Sequence, residues 1–225
     1  MNIGVNMADS NPCCKKTFEK LPKEKRERIL RVITEEFADN GFQNTSVSQI
    51  AKKSGISVGA VYKYFESKEE MFSFVVKDGL SQLEDVLSAL AQSDEDIALK
   101  AEIIIRKLVS FSREKPELIK LYCALTSDGS FEHLAEFSRK IEDISASIYV
   151  SEIERAQKTG DVRDDVDPRF FAFLLDNVFM MLQFSTACEY YKKRFSTYIG
   201  KSQEECDELI VSQTMKFLKA AFNFK

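Results

Sequence analysis

Apolar residues recur at helical spacing along almost the whole chain. Ile29, Leu30, Ile33 and Phe37 lie three and four positions apart, the period that turns one face of an α-helix toward a core. That helix opens at Leu21-Pro22 and closes at Asn40-Gly41, with Pro tolerated in a first turn and Gly41 suited to a left-handed cap. Two short helices are predicted at about 46–54 and 58–65, then longer ones near 67–92, 94–113, 116–127, 130–159, 168–193 and 203–222. Pro116 and Pro168 stand at helix starts, and Gly129, Gly160 and Gly200 at breaks. Ser67-x-x-Glu70 and Ser202-x-x-Glu205 read as capping boxes. No run alternates convincingly as a strand does. The pattern predicts an all-α fold of about nine helices. Met1–Phe18 is polar and aperiodic, so residues 1–20 are expected to be a disordered tail, followed by a three-helix head over 21–67 and a helical body over 68–225.

Residues 45–68 carry the specific signal, because they read as a helix-turn-helix, the unit that sets one helix in the major groove of DNA. Ala51 is small where two helices approach, and Gly55 sits at a turn that needs a left-handed conformation. Ile50, Ile56 and Val61 are spaced to form a miniature core, and Ser57 can cap the second helix. The exposed residues of that helix are then Val58, Gly59, Ala60, Tyr62, Lys63 and Tyr64. Gly59 and Ala60 leave room for close approach to base edges. Tyr62 and Tyr64 can donate to phosphates, Lys63 and Lys68 can neutralise them, and Thr45 and Ser46 can offer hydroxyls and amides. Phe65 reads as a buried helix-end aromatic.

Composition refines this picture at a few points. Eight Gly and four Pro in 225 residues leave little punctuation, and eighteen Phe with no Trp make a greasy interior. The net charge of −4 is unevenly spread: residues 1–65 carry 11 Lys+Arg against 7 Asp+Glu, and the rest 21 against 29. A basic head on an acidic body suits a small DNA-binding domain. Cys13, Cys14, Cys123, Cys188 and Cys206 form no C-x-x-C, and His133 is the sole histidine, so no disulfide framework, metal site or cofactor is implied. The N-terminus shows no secretory signal, and the apolar stretch Phe170–Phe184 is interrupted by Asp176, Asn177 and Gln183 and short for a bilayer. A cytoplasmic protein with no membrane partner is expected.

The run Gly41-Phe42-x-x-Thr45-Ser46-Val47-x-x-Ile50-Ala51, with Gly55-Ile56-Ser57-x-Gly59-Ala60-x-Tyr62-x-Tyr64-Phe65-x-Ser67-Lys68-Glu69, resembles the N-terminal domain of the TetR family of transcriptional regulators over about residues 22–70. The resemblance implies an all-α homodimer whose DNA contacts fall at Thr45 or Ser46, Ser57, Gly59, Ala60, Tyr62, Tyr64 and Lys68. Tyr64 stands where many members carry His.

In the body, helix 168–193 is apolar on more than one side, with Phe170, Leu174, Met181 and Phe184 on one stripe and Phe171, Leu175, Val178 and Leu182 on another. Phe170, Leu174, Val178 and Met181, with Val211, Met215, Leu218 and Phe222 of the last helix, resemble the family's four-helix dimer interface. Phe111, Tyr122, Leu125, Phe131, Leu134, Phe137, Tyr149, Phe179, Met180 and Gln183 are candidates for a mostly apolar ligand pocket. The reading is a homodimeric repressor on a palindromic operator, its heads ~34 Å apart, released by a small hydrophobic or aromatic effector that shifts helix 67–92. No catalytic residues are assigned. A helical adaptor is the rival reading, and a pocket enzyme a weaker one, since no nucleophile–base pair or phosphate loop is present.

Overall fold

The computed structural model describes residues 14–91, 93, 95–127 and 132–223, and every regular element among them is helical. In chain order they are α1 (Lys16–Glu19), α2 (Lys23–Asn44), α3 (Val47–Ser54), α4 (Val58–Tyr64), α5 (Lys68–Ala91), α6 (Ile97–Glu114), α7 (Pro116–Ser127), α8 (Glu132–Thr159), α9 (Pro168–Ala187), α10 (Glu189–Ile199) and α11 (Asp207–Phe222). A single 3-10 turn, Gln203–Glu205, precedes α11. The all-α class stands, with eleven α-helices among the described residues rather than nine.

The two additions have separate causes. Residues 14–20 lie in what the sequence suggested was a loose tail, yet Lys16–Glu19 is helical and Phe18 is fully buried. A four-residue helix is too short to show a period, which hid it. The predicted helix 168–193 is broken at Cys188, whose extended backbone (φ −101°, ψ 126°) ends α9 and starts α10. The box expected at Ser202 does not form: its side chain makes no capping bond, and α11 starts at Asp207 instead of 203. At Ser67 the cap does form, its Oγ accepting from Glu70 N–H at 3.2 Å.

The chain divides into two units between Gly79 and Leu80, inside α5 rather than at the expected 67/68 boundary. In the head, Ile29, Ile33 and Phe37 of α2 are buried as their spacing predicts. The Phe37 ring packs on Phe42 and Phe72, with centroids 5.9 and 5.0 Å away. α2 kinks at Gly41, where φ 69° and ψ 169° define a region open to Gly.

In the body, α9 packs on α6, α7, α8 and α10, while α11 packs on α6. Leu87, Ile105, Ile153, Phe179 and Leu218 are its most deeply buried large residues. Arg106 on α6 grips Glu208 on α11 through two hydrogen bonds of 2.8 and 3.2 Å. By length and composition alone α9 could cross a membrane, a test that a core helix of a soluble protein passes equally. Its Ala172, Phe179 and Phe184 are nevertheless buried within the protomer.

Candidate nucleic-acid interface

α3 and α4 are held at a fixed turn by backbone chemistry that Gly55 makes available. Gly55 is left-handed (φ 67°, ψ 36°). Its N–H donates to Lys52 O at 3.2 Å, and Ile56 N–H donates to Ala51 O at 3.0 Å. This paired pattern satisfies carbonyls that a helix end leaves unpaired. Ser57 caps α4 by accepting from Ala60 N–H at 3.1 Å. Ile50, Ala51 and Val61 are buried between the helices, and Ile56 is half-buried.

With that face committed, α4 presents the other. Val58 is 39% and Tyr62 47% exposed. Ser46, Ser57, Gly59 and Lys63 are also exposed, while Ala60 and Tyr64 are half-buried. A Cβ placed on Gly59 would meet only Ser57 Oγ, at 3.9 Å, so the backbone there is open to close approach from outside. Lys52 and Lys53 lie exposed in the last turn of α3. Lys53 pairs with the Glu36 carboxylate, and the hydrogen bond and charge of that partner raise its pKa.

Two residues expected at the interface have scaffold positions. Thr45 is buried, its hydroxyl lying 2.9 Å from Glu36 O and 2.7 Å from Gly41 O. Lys68 Nζ donates to Gln43 O at 3.1 Å and Thr45 O at 3.3 Å, with the ammonium 4.8 Å from the centre of the Phe42 ring. The Gly41 kink explains both, because it turns the final carbonyls of α2 away from helical donors and side chains must supply them.

The body holds a narrow cleft with room of about 40 Å³, lined by Leu87, Ile97, Ala101, Ile104, Ile148, Ile153 and Leu175 with Tyr149 and Phe179. Tyr149 and Phe179 were expected there, and their rings meet edge to face at 5.7 Å. Phe111, Tyr122 and Met180 instead pack around Ile119, Phe184 and Ala187 in a cluster of their own. Leu125 and Gln183 are half-buried and do not line the cleft. Phe131 lies outside the described residues, as do the side chains of Leu134 and Phe137. Helical phase separates these groups: residues on one helix but a quarter-turn apart face different cores.

The polar part of the cleft was missed. Lys100 and Glu152 line it, joined at 2.9 Å, with side chains 4% and 18% exposed. The signal in the sequence is a charge set within the apolar stripe of each helix, Lys100 beside Ala101 and Ile104, and Glu152 beside Tyr149 and Ile153.

Half of the expected dimer residues also lie elsewhere. Val211, Met215, Leu218 and Phe222 are buried in the protomer's own core. Val178 is partly buried against that core, and Met181 against the second cluster. Phe170 and Leu174 are exposed as expected, and Phe173, Leu209 and Phe217 join them. α11 is apolar on two sides, and the stripe 211/215/218/222 faces inward.

Burial, with the Glu142 carboxylate adding to it, pushes the Asp176 carboxyl up to about 6. The usual value is 3.8, so folding favours the protonated form and the group opposes folding increasingly as pH rises from about 4 through about 6. Asp176→Asn is expected to stabilise the body by roughly 1 kcal/mol at pH 7–8, after allowance for partial exposure, and to do nothing below pH ~4. Thermal melts across that range would contradict the assignment if the two proteins differed equally at every pH.

A left-handed glycine turn, a capped short helix and an open face on that helix define a helix-turn-helix DNA-binding regulator. Residues 29–74 match the family described as bacterial regulatory proteins, tetR family. Over 206 residues the chain is 27% identical to the uncharacterized HTH-type transcriptional regulator YvdT of Bacillus subtilis (strain 168), covering 88% of this chain and 97% of that one. A TetR family transcriptional regulator from Chloroflexus aurantiacus J-10-FL shares the fold with a TM-score of 0.68 at 21% identity, over 92% of this chain and 97% of its own. The transcriptional regulator FadR from Bacillus subtilis, solved in complex with stearoyl-CoA, shares it with a TM-score of 0.63 at 17% identity, over 83% and 95%. The chain is thus similar to TetR-family transcriptional regulators, by a domain match over residues 29–74 and by its fold over most of its length.

Proposed function

We propose that the protein is a homodimeric repressor that binds a palindromic operator and leaves it when a small apolar effector enters the body cleft. The observation that carries this reading is the rigid α3–α4 hairpin with its exposed α4 face. Ser46, Ser57, Val58, Gly59, Ala60, Tyr62, Lys63 and Tyr64 make the contacts. Thr45 and Lys68 serve by fixing the end of α2 against the start of α5. Few long polar side chains reach base edges, so specificity rests on close backbone approach and on the spacing of two heads.

A second copy covers the face that bears Phe170, Phe173, Leu174, Leu209 and Phe217. The effector carries an acyl or similar apolar chain, a class supported by the apolar cleft walls and by the stearoyl-CoA bound to the FadR relative. Leu87 of the cleft wall lies on α5, the same helix that carries Lys68. The effector acts only through different affinities for the bound and released states. The protein works in the cytoplasm.

Operator selection from random duplexes, followed by gel shifts at rising salt and with acyl-CoAs of graded length, tests this reading. Binding indifferent to salt, or without a footprint, would sink the DNA half, and release by no acyl-CoA would sink the effector half. Tyr62→Phe is expected to weaken binding to every duplex alike, by about fivefold per head and so roughly twenty-five-fold for the two heads of a dimer, one phosphate hydrogen bond being lost from each. A changed base preference in that variant would contradict the phosphate role.

A further inference from the structure

α4 has seven residues, so little of its stability is its own. Its last four carbonyls need partners from outside the helix. Val61 O accepts from Phe65 N–H at 2.9 Å, just beyond the helix end, and Tyr64 O from Lys15 N–H at 2.8 Å. Tyr62 O accepts from Lys15 Nζ at 3.0 Å, and Lys63 O from the Thr17 hydroxyl at 2.6 Å. Three of the four partners therefore come from a segment more than forty residues earlier in the chain.

That segment is itself anchored. The fully buried Phe18 ring lies 5.6 Å from Tyr64, 4.9 Å from Phe65 and 5.7 Å from Phe74. Arg26 of α2 donates to Glu19 O at 3.1 Å. The Lys15 ammonium also stands at the negative end of the α4 dipole, where a cation is favoured.

We infer that residues 15–18 are a cap that sets the recognition helix before DNA arrives, with Lys15 and Thr17 as positioning residues for operator binding. The residues of α4 nearest the cap are Tyr62, Lys63 and Tyr64, three of its proposed contacts. A frayed last turn would have to be ordered again at the DNA surface, and that cost would come out of affinity. The inference rests on α4 being the DNA-reading helix.

The test uses the full chain and a duplex selected by the wild-type protein from random DNA. Thr17→Val removes the donor and keeps the shape, and is expected to bind about fivefold weaker with an unchanged salt slope. Thr17→Val with Lys15→Met is expected to bind more than about tenfold weaker, and Thr17→Ser to bind as the wild type does. Backbone amide exchange at residues 62–65 should quicken in Thr17→Val while exchange in the body stays unchanged. Wild-type affinity in the double variant, a Thr17→Ser protein as weak as Thr17→Val, or unaltered exchange at 62–65 would each overturn the inference. Should the wild-type protein select no duplex at all, the DNA-reading role fails instead, and the exchange measurement alone decides on the cap.

Discussion

Replacing Phe173 and Phe217 together with Glu is expected to give a normally folded monomer that has lost high-affinity operator binding. Each ring is 60% exposed in the protomer, so neither substitution removes much of its own core. Phe170, at 60%, and Leu174 and Leu209, at 44% and 42%, extend the same kind of surface on α9 and α11. Isolated exposed apolar residues are ordinary, but several large ones on two helices that meet at Phe171 and Phe222 are what the proposed second copy would cover. In a two-fold dimer each substitution acts twice. Burying a Phe contributes about 2 kcal/mol, and four carboxylates brought into an apolar contact oppose association further. The dimer dissociation constant should rise by more than about a thousandfold. Operator affinity should fall with it, because two linked heads on one palindrome gain from effective concentration and one head alone does not. Sedimentation and operator titration read the two effects separately. A double variant that stays dimeric at micromolar concentration would place the interface elsewhere. By contrast, Leu218→Glu should unfold the body, since Leu218 is 1% exposed.

Much of this was legible in the sequence where local chemistry decides the conformation. Gly55, Ser57, Pro116 and Pro168 each do what their residue type predicts, because a left-handed turn, an N-cap and a helix start are settled within a few residues. The buried face of α2 followed from period and that of α3 and α4 from the helix-turn-helix pattern, though Ala60 and Tyr64, expected to be exposed, are half-buried. What the sequence hid depends on long-range partners. Phe18 looked like part of a tail because its partners lie near 64 and 74. Thr45 looked like a free hydroxyl until the Gly41 kink supplied carbonyls for it. On α11, apolar residues on two sides left the period unable to say which stripe faces in. The cleft failed for a related reason: a list of apolar residues gives no helical phase relative to neighbours, and the informative residues were the two charges among them.

Those charges give the second large effect. Glu152→Gln is expected to destabilise the body by about 3 kcal/mol, because it removes the carboxylate that balances a deeply buried ammonium. For a unit of this size that lowers the melting temperature by roughly 6–12 °C. Replacing the whole pair, Lys100→Met with Glu152→Leu, should recover most of the loss, since an apolar pair of similar volume suits the surrounding Ala101, Ile104, Tyr149 and Ile153. Arg155, which donates to Glu152 at 2.7 Å and is 53% exposed, can turn to water in that variant. A neutral Glu152→Gln would mean the ammonium is solvated through the cleft mouth, and the pair would then contribute little to stability. The double variant also separates stability from response. If it melts like the wild type but no longer leaves the operator with any acyl-CoA, the two charges are kept for what enters the cleft, since an apolar wall would serve the fold as well.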